Sequence, residues 1–208
     1  MKKAKIAVLV SGGGTNLQAL IDAQKSGIIT SGSIELVLSN KADAFALTRA
    51  EKAGIETAVI LRRDYESREA FDRAIAEALD AHGIDLIVLA GFMSILTEKF
   101  TSHFRDRIIN VHPALIPSFC GEGFYGLRVH EAALAKGVKV SGATVHFVNE
   151  IPDGGRIIAQ KAVEVMDGDT PETLQKRVMR LAEWQILPKS VEMVSKSIVL
   201  EKEKEATK

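Results

Sequence analysis

The sequence predicts an α/β fold: a doubly wound, mostly parallel twisted sheet with antiparallel strands near the C-terminal half. Three observations carry this. Short apolar runs of strand length alternate with amphipathic stretches of helical period up to residue 111. Glycines 27, 54 and 83 close the three helical stretches. Beyond residue 112 two strand-like runs flank the turn NEIPDGG, which suits a tight reversal rather than a helical crossover.

The elements follow in order. KIAVLV at 5–10 is apolar almost throughout, as a parallel strand buried on both faces requires. The loop 11–16 leads into a helix over 16–26, with Leu17, Leu20 and Ile21 on one face. IELVLSN at 34–40 is a second strand, 43–53 a helix, and ETAVIL at 56–61 a third strand. Ser67 can cap a helix over 68–82, where Phe71, Ala74, Ile75, Ala78 and Leu79 keep helical spacing. DLIVLAG at 85–91 is the fourth strand. A short helical stretch near 97–103 precedes the fifth, at 107–111. Residues 118–129 are irregular and rich in glycine and aromatics, and a short helix covers 130–136. GATVHFV at 142–148 and RIIAQKAVEV at 156–165 form the antiparallel pair. Pro171 takes the first position of a long helical region that Pro188 kinks or divides.

Bulk composition narrows the function classes. The chain has 208 residues, of which 46% are hydrophobic, enough for a core without covalent staples. Acidic and basic residues balance at 27 each, giving no bulk attraction to nucleic acid or membrane. The single cysteine, Cys120, excludes an internal disulfide framework. The N-terminal MKKAKIAVLV has the charge pattern of a signal peptide. Its apolar part is too short and runs into a glycine loop, so it reads as a first strand and the chain as cytoplasmic.

Two stretches carry chemistry. SGGGTN at 11–16 joins a strand to a helix, where backbone N–H groups and the helix dipole favour an anion. The third glycine of a dinucleotide fingerprint is replaced by Leu17, and no Gly-Lys-Ser/Thr follows. A monophosphate cradle and a plain tight turn both remain. RIINVHPALIP at 107–117 ends a strand in Asn110 and His112, two residues apart and so on one side. An amide beside an imidazole can bind a carbonyl oxygen and move a proton. Asp153, in the PDGG turn, is either a carboxylate for that imidazole or a turn former. His82 and His103 read as surface or structural, and His130 as a helix-start residue. For His146 a packed role and a substrate contact are equally open. No metal-ligand spacing and no G-x-S-x-G nucleophile motif occur.

The combination of SGGGTNLQAL, SNKADAFAL, LAGFMSIL, NVHPALIPSF and GATVHFV…DGG, in this order, resembles the folate-dependent phosphoribosylglycinamide formyltransferases over about residues 5–190. The resemblance implies one formyltransferase domain over 1–200, with 201–208 a charged, disordered tail. It implies transfer of formyl from 10-formyltetrahydrofolate to the amine of glycinamide ribonucleotide. Asn110, His112 and Asp153 fall on the family's catalytic trio: His112 as general acid, Asp153 raising its pKa, and Asn110 contacting the formyl oxygen. Gly14, Thr15 and Asn16 match the phosphate-binding segment and Glu183 the acid that contacts glycinamide. Arg68, Met93, Ser94, Ile95 and Leu96, with Asn110, match the folate-binding positions. The partners implied are small molecules, with no metal, nucleic acid or membrane, in a monomer or homodimer. Ser94 stands where many members carry Arg, Trp184 where His is expected, and the loop 118–129 is longer than in compact members.

Two other formyl-folate activities fit less well. A methionyl-tRNA formyltransferase is expected to carry an RNA-binding domain for which the chain has no room. A formyltetrahydrofolate hydrolase is expected to carry an N-terminal regulatory domain ahead of the first strand. A non-catalytic phosphate- or nucleotide-binding module would keep the glycine loop and show no turnover.

Overall fold

The computed structural model describes residues 3–207; residues 1, 2 and 208 of the expected domain and tail lie outside them. Seven strands form one sheet: β1 (Ala4–Val10), β2 (Gly32–Ser39), β3 (Glu56–Val59), β4 (Leu86–Leu89), β5 (Ile108–His112), β6 (Val140–Phe147) and β7 (Ile157–Glu164). Their order is β3-β2-β1-β4-β5-β6-β7. The first five pair in parallel, and β5-β6 and β6-β7 pair antiparallel. The doubly wound sheet with an antiparallel C-terminal side is thus the architecture read from the sequence.

The helices are α1 (Thr15–Lys25), α2 (Phe45–Lys52), α3 (Arg68–Ala81), α4 (Glu98–His103), α5 (Leu127–Lys136), α6 (Pro171–Val178) and α7 (Trp184–Ala206). Ser67 caps α3 through Ala70 N–H, and Thr97 caps α4 through Phe100 N–H. Each cap satisfies a donor that the helix itself cannot pair, worth about 1 kcal/mol. Two hydrophobic layers flank the sheet. Val8, Val88 and Ile109 pack on one face against Leu17 of α1 and Leu187 and Val191 of α7. Leu9, Leu38 and Ile87 pack on the other against Phe71 and Ile75 of α3 and Phe100 of α4. Burial on both faces is why β1 and β4 are almost wholly apolar.

Two local readings are corrected. The last helical region divides at a wide π turn, Met179–Glu183, rather than at Pro188, which lies buried inside α7. The wide turn ends just before Trp184, whose carbonyl loses its N–H partner to the Pro188 ring. The short helix placed at 130–136 begins earlier, at Leu127. The charged stretch from 201 lies in α7, which runs to Ala206, and its residues are exposed. That helix is already nucleated upstream, Glu201 and Lys204 share a face, and Lys202 pairs with Asp85.

Candidate active site

In this sheet β1 lies between β2 and β4, so successive crossovers leave in opposite directions and a crevice opens at the strand ends. Ser11–Gly14 sits there. Gly14 has φ 71°, and a Cβ on it would lie 2.7 Å from Ala46 Cβ and 2.8 Å from Ala46 Cα, so only glycine fits. The loop is tied to α2: Ala46 N–H donates to the Gly12 carbonyl (3.0 Å) and Arg49 Nε to that of Gly13 (2.8 Å). No side chain caps α1, so its first-turn N–H groups at Thr15 and Asn16 are offered outward. Asn16 Nδ2 donates to Glu183 Oε2 at 2.6 Å, joining this loop to the π turn. Glu183 is buried, and burial pushes its carboxyl up to about 7, against the hydrogen bond from Asn16.

The rim beyond β4 is joined to the same loop. Met93 N–H donates to Ser11 Oγ (2.8 Å), and Asn40 Nδ2, from the end of β2, donates to Ser94 Oγ (2.9 Å). Met93 and Ile95 are half exposed while Leu96 is buried. A cleft of about 130 Å³ runs from Ser94, Ile95 and Leu96 to Asn110, His146 and Asp153.

Asn110 and His112 end β5 on one side, and the antiparallel register sets His146 directly opposite Asn110. Asp153 comes from the turn between β6 and β7. Gly155 permits that turn: a Cβ there would fall 1.7 Å from the Phe147 carbonyl oxygen. His112 Nδ1 lies 3.4 Å from Asp153 Oδ2, and His146 Nε2 lies 3.5 Å from Asp153 Oδ1. Gly121 N–H donates to Asp153 Oδ2 at 2.9 Å. His146 Nδ1 is 2.8 Å from the Phe147 carbonyl, which only accepts, so in the neutral ring Nε2 is the acceptor. Asn110 Nδ2 donates to it at 3.2 Å; its second hydrogen reaches Asp153 Oδ1 only at 3.5 Å.

Burial lowers the His112 pKa below its ordinary value, and the Asp153 charge opposes without overcoming it. The sequence reading had Asp153 raising this pKa; its contribution has that sign, but desolvation of a side chain only 4% exposed is larger. Burial raises the Asp153 pKa. The His146 ring beside it, the His112 charge and the Gly121 N–H together hold it below the usual carboxylate range. Burial thus favours a neutral imidazole, and the groups facing Asp153 favour an ionised carboxylate beside it.

A protein-family model described as "Formyl transferase" matches residues 4–191. The chain belongs to the formyl transferase family. Within it, the chain is 47% identical over 184 residues to the phosphoribosylglycinamide formyltransferase of Haemophilus influenzae, covering 88% of this chain and 84% of that one. It is 48% identical over 198 residues to the trifunctional purine biosynthetic protein adenosine-3 of Bos taurus, covering 95% of this chain. It spans only 19% of that larger relative. The crystal structure of glycinamide ribonucleotide transformylase 1 from Symbiobacterium toebii superposes with a TM-score of 0.88 at 42% identity, covering 94% of this chain and 89% of that one.

Set in this formyl transferase fold, the expected residues fall into distinct groups. Asn110, His112 and Asp153 meet. Gly14, Thr15 and Asn16 form the loop at α1, and Glu183 joins them through Asn16. Ser94, Ile95 and Leu96 line the cleft with Asn110, whereas Met93 is on its rim. Arg68 stands exposed at the start of α3 and is not among the cleft-lining residues. His146 belongs to the site, and the signal for it was the alternation that puts His146 on one strand face. His130 is wholly buried in α5, with neither ring nitrogen hydrogen-bonded. Burial, aided by the charge of nearby His112, lowers its pKa to about 4. His82 and His103, read as surface or structural, contact Glu56 (3.1 Å) and Asp80 (2.9 Å) at the surface. Among the described residues no cluster suited to a metal ion occurs, and no helix is long and apolar enough to cross a membrane.

Proposed function

We propose that this chain transfers a formyl group from 10-formyltetrahydrofolate to the amine of glycinamide ribonucleotide, a step of purine biosynthesis. The observation that carries this reading is the His112–Asp153 pair, with Asn110 beside it, in a crevice that also holds the uncapped start of α1. In this reading the ribonucleotide phosphate sits on Thr15 and Asn16, and the formyl carbonyl at Asn110 in the cleft lined by Ser94, Ile95 and Leu96. The half-exposed Met93 and Ile95 beside polar Ser94 suit a flat, partly apolar folate ring. Arg68 is retained as a cation for the folate's outer carboxylates.

In this mechanism the amine attacks the formyl carbon directly, so no enzyme nucleophile is required. The carbonyl electron pair moves to oxygen, where the second amide hydrogen of Asn110 meets it; one such donor is commonly worth about 3 kcal/mol. His112 takes the proton that the attacking nitrogen sheds and, as general acid, delivers it to the departing folate nitrogen. Asp153 faces the imidazolium formed between these steps. Glu183 contacts the glycinamide portion. We place the reaction in the cytoplasm, on small-molecule substrates, with no metal, in a monomer or homodimer.

Mixing the protein with 10-formyltetrahydrofolate, with and without glycinamide ribonucleotide, and following folate absorbance tests this. Amine-dependent turnover is expected. Turnover without the amine would point to hydrolysis, and none in either mixture would leave only a binding module.

A further inference from the structure

The two nitrogens of His112 face chemically different groups. Nε2 lies 2.8 Å from the carbonyl oxygen of Phe119, and Nδ1 faces Asp153 Oδ2 at 3.4 Å. A backbone carbonyl has no hydrogen to give, so a hydrogen bond there requires the hydrogen on Nε2. The lone pair of the neutral ring is then on Nδ1. The same stretch of backbone also holds the carboxylate, through Gly121 N–H on Asp153 Oδ2 at 2.9 Å. One short segment therefore grips both members of the pair, from opposite sides and with opposite hydrogen-bond roles.

The segment is held in an unusual shape. Phe119 has φ 51°, a left-handed conformation that costs a side-chain-bearing residue free energy. Gly121 has φ 89°, which a glycine adopts freely. Asp153 itself has φ 56°. The surrounding titratable groups add no competing donor to Nε2. His146 has its Nδ1 on the Phe147 carbonyl, and His130 is buried without a hydrogen-bond partner.

We propose that the Phe119–Gly121 backbone is a positioning element that fixes His112 as its Nε2–H tautomer and routes the transferred proton through Nδ1. This rests on the reading of His112 as the proton carrier in formyl transfer. The proton balance closes. The attacking nitrogen forms its bond to the formyl carbon and loses a proton to Nδ1. The bond from that carbon to the folate nitrogen breaks, and the Nδ1 proton goes to the leaving nitrogen. Nε2–H stays on the Phe119 carbonyl throughout, and His112 ends as it began.

The test is long-range ¹H–¹⁵N NMR of the whole chain labelled at histidine, recorded across the His112 titration. The expected result is an Nε2 that keeps a protonated-nitrogen shift on both sides, with Nδ1 alone changing type. A neutral ring protonated on Nδ1, or an even tautomer mixture, would overturn the proposal. Gly121→Pro supplies a second arm, because proline lacks the N–H and cannot adopt φ 89°. It is expected to give a tautomer mixture, kcat lower by about tenfold or more, and KM changed by less than about threefold. Mixed tautomers with unchanged kcat would overturn it, as would loss of kcat with the Nε2–H signature intact. Should that variant not fold, the wild-type spectrum decides. The spectrum needs no substrate, so failure of the tautomer assignment and failure of the formyl-transfer reading are separable.

Discussion

Asn16 and Glu183 are 167 residues apart in sequence, and the Asn16 amide donates to the Glu183 carboxyl at 2.6 Å. The contact ties the start of α1, beside the glycine loop, to the π turn between α6 and α7. A carboxyl so fully buried has a titration set by desolvation, which is why it is pushed up to about 7.

Glu183→Gln is therefore expected to change the pH dependence of stability. With the folded pKa above the unfolded one, the folded chain binds the extra proton between roughly 4.5 and 7, so stability falls as pH rises through that window. The upper bound on this loss is on the order of 3 kcal/mol. Glutamine keeps the oxygen that accepts from Asn16 and cannot ionise. Thermal unfolding should show the variant more stable than wild type at pH 8 and close to it at pH 4.5. A destabilisation independent of pH would contradict the assignment. Weaker glycinamide ribonucleotide binding is expected alongside.

Asp153→Asn removes the charge that holds His112 up against burial. The His112 pKa should fall further, and the acid limb of the kcat profile should move to lower pH. kcat itself should drop by about 10²-fold or more, because the imidazolium loses its counter-charge. The amide oxygen can keep the contact from Gly121 N–H while the longer one from Asn110 is lost, so circular dichroism should be unchanged. An acid limb that stays in place would contradict the pairing.

His146→Phe tests the support of Asn110. The ring keeps its bulk and loses the acceptor that holds Asn110 Nδ2 at 3.2 Å. A freed amide should bind the formyl oxygen less precisely, lowering kcat by about tenfold with KM for the amine nearly unchanged. Equal kcat in the variant would show that Asn110 needs no such partner.

The fold was largely legible because the apolar runs and glycine stops are local signals. β1, β4 and α3 are each set by their own pattern and caps. The site was legible in part. Asn110 and His112 announce themselves by their spacing on one strand. For His146 the alternation left a packed role and a substrate contact equally open, since its place depends on the β5–β6 register that pairs it with Asn110. Nor did the net direction of the His112 shift announce itself, because desolvation depends on how completely the folded chain buries the ring. The run of α7 to Ala206 carries no apolar pattern of its own, because continuation of a helix already formed costs little.

The central claim is that His112 moves the proton in formyl transfer. The most direct measurement is single-turnover transfer from 10-formyltetrahydrofolate to glycinamide ribonucleotide by His112→Asn, at saturating concentrations of both. The account predicts a rate about 10²–10⁴-fold below wild type, with both substrates still bound and the fold intact. A rate within about threefold of wild type would contradict it.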